Sequence, residues 1–300
     1  MKLSVTISGL TRLFGDDLAA ILDVARAVDE AGVDQLVLPD HVVIGTRLDR
    51  YPFGRFPFGP EEPWLEPLTA LAAFAGATER VRLSTGVVIA PLRPAVLLAK
   101  TAATLDVLSR GRLDLGVGTG WQPEEYEAAG VPFAGRAARM DDTIRACQAL
   151  WTQDPPVSFS SPTVSFTEIW CEPRPLQPGG VPVWYGGGAT EATARRVAEL
   201  GAGWLPIGIM PDDELARGIS LIRDACTATG RDPTTVGVRA GLAVKTTDAG
   251  EVDLDRTMVR VPALRELGVT VLSVTPARSV RAPGDIAPFL ASLRTALADA

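Results

Sequence analysis

Eight times along the chain, a short apolar run that reads as a strand is followed by a longer segment with helical spacing. This alternation limits the fold more than any other feature. The strand-like runs are 2–8, 34–39, 81–90, 111–120, 181–188, 203–209, 235–245 and 269–274. The helical segments are 16–32, 65–78, 95–109, 137–151, 191–201, 212–230, 254–268 and 286–300. In the first, Leu18, Ile21, Leu22, Ala25 and Val28 share a face, Asp16 or Asp17 can cap the start and Gly32 can close the end. Near-continuous apolar strands separated by helices are what a parallel sheet buried on both faces requires. Eight such units fit one α/β domain over residues 1–300, a single (β/α)8 TIM barrel, better than the alternative doubly wound sheet.

Two stretches interrupt the rhythm. Residues 45–64, after strand two, are rich in Gly, Pro and aromatics and fall on the C-terminal side of a strand, where barrel enzymes build active sites. Residues 152–180, before strand five, lie at the opposite end and repeat "VSF", which suggests a small hairpin decorating the edge. Loops of this length inside a compact fold are usually functional or mobile.

Composition removes whole classes of function. At 46% hydrophobic residues and 22% charged, 300 residues bury a large core. The net charge of -7, with no Lys/Arg cluster among aromatics, excludes a nucleic-acid footprint. Cys147, Cys171 and Cys226 are odd in number and widely spaced, and with a single histidine they form neither a disulfide framework nor a zinc set, so each is expected to be a small buried hydrophobe. The start "MKLSVTISGL" reads as a strand and not a signal peptide, and no run of about 18 apolar residues suggests a membrane span. A cytoplasmic, non-membrane enzyme acting on a small molecule is the expectation.

In a barrel, polar residues at the C-terminal strand ends can share one mouth. Strand two ends in Asp40-His41, which holds the only histidine. Strand three ends near Thr85-Gly86-Val87, strand four in Gly118-Thr119-Gly120-Trp121, and strand five in Gly186-Gly187-Gly188. The triple glycine, opening into a helix, suits a phosphate on converging N–H groups, although a tight strand-to-helix turn would look the same. "GVGTG" does not meet the GxGxxG fingerprint, and no GxSxG elbow exists for a serine triad. Glu61, Glu62, Glu66, Glu124 and Glu125 offer carboxylates for sugar chemistry, but nothing singles out two of them over a solvated face. Glycine loops, aromatics and little acid–base machinery suggest that a bound cofactor does the chemistry.

The stretch "AKTAATLDVLSRGRLDLGVGTGWQPEEYEAAGVPFAGR" (99–136) resembles a block of the bacterial luciferase-like oxidoreductases, and "LPDHVV", "VRLSTGVVIAPLRPAVLLAK" and "PVWYGGGATEATARRVAELGAGW" match in the same order. The closer likeness is to the branch using the deazaflavin coenzyme F420; FMN-using relatives share much of the pattern. The resemblance implies a luciferase-like barrel, a ring in its mouth and a homodimer. It places Asp40 and His41 beside the ring, with His41 as a proton acceptor for a substrate alcohol. It places Gly86-Val87 at a bulge, often a non-prolyl cis peptide, behind the ring, and Thr119 and Gly120 against it. Gly186, Gly187, Gly188 and Ala189 would surround the phosphate. Trp121 stands where the sugar-phosphate dehydrogenase branch carries a glutamate, which argues against that substrate and for packing at the mouth. The implied activity is F420-dependent hydride transfer to or from an organic substrate. The alternatives are an FMN-dependent monooxygenase, a cofactor-independent barrel hydrolase and a non-enzymatic flavin-binding protein.

Overall fold

A computed structural model describes residues 1–300. Eight parallel strands form a closed ring: β1 (Lys2–Thr6), β2 (Gln35–Leu38), β3 (Arg82–Thr85), β4 (Leu113–Gly118), β5 (Val183–Gly186), β6 (Gly201–Leu205), β7 (Gly237–Gly241) and β8 (Val271–Val274). Each strand pairs with its sequence neighbours, and β1 closes the ring on β8 through Lys2↔Val271 to Val5↔Val274. The main helices are α1 (Ile21–Glu30), α2 (Pro67–Ala77), α3 (Ala95–Leu108), α4 (Arg136–Thr152), α5 (Glu191–Leu200), α6 (Asp212–Ala228), α7 (Val261–Leu267) and α8 (Ile286–Asp299). The expected barrel is therefore the observed one.

Local chemistry explains most boundaries. Helix α1 buries Ile21, Val24, Ala25 and Val28, one stripe at helical spacing, and Gly32 at φ +67° ends the turn after it. Its start differs from expectation: Leu18–Ala20 form a separate 3-10 turn, and the Asp17 side chain makes no capping bond. Helix α2 starts at Glu66, whose carboxylate accepts from the Thr69 N–H at 2.7 Å, with Pro67 in the first turn. The helical segment expected over 254–268 is two pieces, Leu254–Met258 and Val261–Leu267, with Pro262 in the first turn of the second.

The apolar core is a sleeve of 66 buried residues, including the helix-facing Leu113, Leu115 and Val117 of β4. Inside the ring the packing is different. Trp184, Leu205 and Val271 form a separate apolar cluster, while the rest of the floor is polar. There the Asp114 carboxylate accepts from both Arg82 and Gln35, and Arg239 donates across the ring to Gln35 and Ser84. The strands are thus apolar mainly toward the helices; the expectation of continuous burial among apolar neighbours fails on the inner face.

The second insertion carries the expected hairpin, Val157–Ser160 against Ser165–Ile169, antiparallel. Its return plugs the N-terminal end of the ring: the Gln177 amide donates to Asp106 and to the Leu113 carbonyl, both at 2.7 Å, and accepts from Arg82. The three cysteines are free and buried.

Candidate active site

A cavity of about 840 Å³ opens at the C-terminal ends of the strands. Asp40, His41, Gly86, Val87, Thr119, Gly120, Trp121, Gly186, Gly187 and Gly188 all line it. Ala189 does not: it is buried, and a Cβ on Gly218 of α6 would come within 3.0 Å of it, so it packs outward behind the glycine turn.

The end of β3 sets the shape of the wall. The Gly86–Val87 peptide is cis, and the chain resumes pairing with β4 at Val88–Ile89. Val87 then projects between two neighbouring strands. A Cβ on Gly118 or on Gly186 would stand 2.6 Å from a Val87 methyl, and a Cβ on Gly86 would stand 2.4 Å from Val37 Cγ1. These three glycines are therefore required by packing, so the absence of a side chain at Gly186 is explained by Val87. Gly188 differs. Only the Thr190 methyl lies within 4 Å of its would-be Cβ, so space is open there.

That space adjoins the start of α5, where Thr190 accepts from the Thr193 N–H at 3.2 Å. Thr193, Arg136 and Arg196 also line the cavity here. Arg196 pairs with Asp141 at 2.5 Å, whereas the buried Nε of Arg136 has no partner. A helix N-terminus, an unfilled cradle and a donor without an acceptor together suit an anionic group.

His41 occupies the other side, nine-tenths buried among aromatics. Trp64, Phe56 and Trp121 meet its ring edge-on, with centroids 4.7, 5.8 and 6.2 Å away. Tyr51 joins the box, 5.2 Å from both Phe56 and Trp121. The 45–64 insertion thus folds over the mouth. Gln122, itself fully buried, pins it by exchanging two hydrogen bonds with the Gly45 backbone, at 2.7 and 3.0 Å.

The histidine's partner is Glu125. Its carboxylate is wholly buried, accepts from the Val42 N–H at 2.6 Å and lies 3.2 Å from His41 Nδ1. This leaves Nε2 as the ring nitrogen without a protein partner. Glu125 had looked like part of an exposed acidic run; it lies 84 residues from His41, in a short helix started by Pro123, and nothing local marks it out. Asp40, by contrast, is fully engaged. One oxygen accepts from the Ile89 N–H at 2.8 Å and from Arg93 at 2.6 Å; the other accepts from Arg93 at 3.1 Å. Burial opposes charge on the Arg93 guanidinium, but the Asp40 and Glu66 carboxylates outweigh it and hold it more basic than usual. Asp40 and His41, both expected beside the ring, thus differ: Asp40 is held in an ion pair with Arg93, and His41 is held by Glu125 with Nε2 free.

Comparison with known proteins agrees with this architecture. Residues 3–264 match the family model described as luciferase-like monooxygenase. An uncharacterized protein of Mycobacterium tuberculosis (strain ATCC 25618 / H37Rv) is 32% identical over 212 residues, 69% of this chain and 74% of that protein. A phthiodiolone/phenolphthiodiolone dimycocerosates ketoreductase of Mycobacterium bovis (strain BCG / Pasteur 1173P2) is 30% identical over 207 residues, 66% of this chain and 53% of that one. Among solved structures, the monooxygenase RslO1 from Streptomyces bottropensis superposes with a TM-score of 0.81 at 22% identity, covering 100% of this chain and 99% of its own. An F420-dependent secondary alcohol dehydrogenase, solved with an F420-acetone adduct, gives 0.79 at 15% identity and covers 99% of both chains.

Proposed function

The chain belongs to the luciferase-like monooxygenase family, and on that premise we propose that it transfers hydride between coenzyme F420 and an organic substrate at an alcohol or carbonyl carbon. The observation that carries this reading is the buried His41–Glu125 pair at the cavity wall. A histidine oriented by a buried carboxylate suits a reaction that must move a substrate O–H proton. The ketoreductase relative and the alcohol dehydrogenase neighbour support the same substrate chemistry.

The residues present fit such a cofactor. Gly188, Thr193 and Arg136, whose guanidinium stacks on Phe133 and makes no hydrogen bond to a carboxylate, would hold its phosphate, and Val87 would support its ring. When bound, the deazaflavin supplies a carbon that accepts or gives a hydride.

The rest is done by the chain. Glu125, as a carboxylate, only accepts, so His41 donates its Nδ1–H and presents the Nε2 lone pair. In alcohol oxidation Nε2 takes the hydroxyl proton; in carbonyl reduction the protonated ring returns it. Asp40 carries no proton in this scheme. Its bonds to Arg93 and Ile89 fix the segment before His41 and the strand end after Val87. Trp64, Phe56 and Trp121 exclude water around the imidazole, which strengthens its interaction with Glu125.

The second reading, an FMN-dependent monooxygenase, is favoured by the likeness to RslO1. Two parallel assays separate the two: reduced F420 with a panel of ketones in the absence of oxygen, and reduced FMN with oxygen. The proposal expects ketone-dependent oxidation of reduced F420 that falls by about 10²-fold or more in His41→Ala, the usual weight of a general acid–base group. Oxygen consumption with FMN and no turnover with F420 would assign the site to the second reading.

A further inference from the structure

Three of the cavity's charged side chains are neutralised by the protein itself, whereas Arg136, Arg278 and Arg239 have no carboxylate partner. Asp40 is paired with Arg93, Arg50 with Glu124 at 3.2 Å and Arg196 with Asp141. Arg239 on β7 is the exception among the deeply buried ones. It lines the floor of the cavity, is 6% exposed and makes hydrogen bonds only through Nη1, to the neutral Gln35 Oε1 at 3.3 Å and Ser84 Oγ at 3.2 Å. The nearest carboxylate, Asp114, is already held by Arg82 through two bonds at 2.6 and 2.8 Å and by the Gln35 amide at 2.7 Å. Gln35 therefore stands between the two charges, and the Arg82–Asp114 pair leaves one positive charge over. Burial lowers the Arg239 guanidinium to about 10, with Asp114 opposing, so it is still a cation at neutral pH.

An unpaired charge taken out of water is costly unless something compensates it. The free side of this guanidinium faces the bulge. Its Nη2 lies 3.1 Å from where a Cβ on Gly86 would be, beside the peptide that breaks β3.

We propose that Arg239 is the counter-charge for the anion that a bound deazaflavin or flavin ring acquires on reduction. This rests on the reading above that such a ring binds over Gly86-Val87. The balance of the step requires an anion. Oxidation of an alcohol breaks the C–H bond, whose electron pair and hydrogen pass to the ring as hydride, and breaks the O–H bond, whose proton passes to His41. The substrate leaves as a ketone, and the ring is left with one added negative charge, shared over the pyrimidine half that F420 and FMN have in common. The deeply buried cation of the cavity lining that only neutral groups contact is Arg239, and its Nη2 faces the bulge over which the ring would lie.

The test compares the affinity of reduced and oxidised cofactor, using F420 and, in a separate arm, FMN. Wild-type protein is expected to bind the reduced form more tightly. In Arg239→Met the reduced-to-oxidised preference should fall roughly tenfold to a hundredfold, the weight of one unit charge several Å away at an effective dielectric of about 20. Arg239→Lys, which keeps the charge, should restore much of it, whereas a packing role would not distinguish the two. A second measurement needs no variant: absorbance of the bound reduced cofactor against pH should show its ring losing the N1 proton at lower pH than the free cofactor. An unchanged preference in Arg239→Met, or an N1 proton held as in the free cofactor, would overturn the proposal. Binding of neither ring would instead defeat the reading on which it rests.

Discussion

Replacing Glu125 by Gln tests how the imidazole is set. The carboxylate holds two groups, the Val42 N–H at 2.6 Å and His41 Nδ1 at 3.2 Å, in a site with no solvent exposure. The substitution keeps the shape and one acceptor. If the Gln oxygen keeps the Val42 N–H, its NH₂ points at Nδ1, and Nδ1 must then accept. The proton moves to Nε2, and the free face of the ring changes from acceptor to donor. Turnover should fall by about 10² to 10⁴, the full weight of a general base. Stability should fall by about 1.5–3 kcal/mol, the usual worth of a hydrogen bond to a charged group. Because His41 is the only histidine, imidazole ¹⁵N shifts report this ring without assignment. The wild type should show a protonated Nδ1 and a bare Nε2, and the variant the reverse. Identical nitrogen shifts in the two proteins, or shifts averaged as in free histidine, would refute the proposed role of Glu125.

Three further outcomes follow from other parts of the molecule. Gly118→Ala places a methyl 2.6 Å from Val87, so it should cost about 1–3 kcal/mol by overpacking, and Val87→Ala should relieve most of that in the double variant, read by chemical denaturation. Trp121→Ala removes contacts to Tyr51 and Phe56, so limited proteolysis within 45–64 should accelerate while the barrel stays intact. Asp29 is buried at the end of α1, where burial pushes its carboxyl upward but the N–H groups of Glu79, Val81 and Arg80 more than offset it, leaving it below the usual value. Its folded value lies under the unfolded one, so its stabilisation is complete above about pH 4 and is lost as pH falls through the folded value. Asp29→Asn should therefore destabilise at pH 7 and progressively less below pH 4; a difference independent of pH would contradict this.

Much of the fold is legible in the chain because each barrel strand must be apolar toward a helix and each helix needs one buried stripe. "LDLGVG" also states its two faces: Leu113, Leu115 and Val117 point to the sleeve, while Asp114, Gly116 and Gly118 turn inward. Taking such runs as uniformly buried hid the polar floor, and with it Arg239. The glycines show the opposite limit. Gly118 and Gly186 exist to admit Val87, a contact between three strands that no local pattern encodes. Glu125 was unreadable for a similar reason, since within "EEYE" only Glu125 and Tyr126 are buried, and Glu125 meets Val42 and His41 from far along the chain. His41 was easier to place, because a polar residue directly after a barrel strand can face only the cavity mouth or the loop above it.

We propose that this cavity holds a deazaflavin beside His41. Titration of the purified protein with F420 and with FMN, followed by the change in cofactor fluorescence, addresses it directly. Saturable F420 binding is expected, weakened when Arg136→Ala removes a phosphate donor, with weaker FMN binding. Tight FMN binding without affinity for F420 would contradict it.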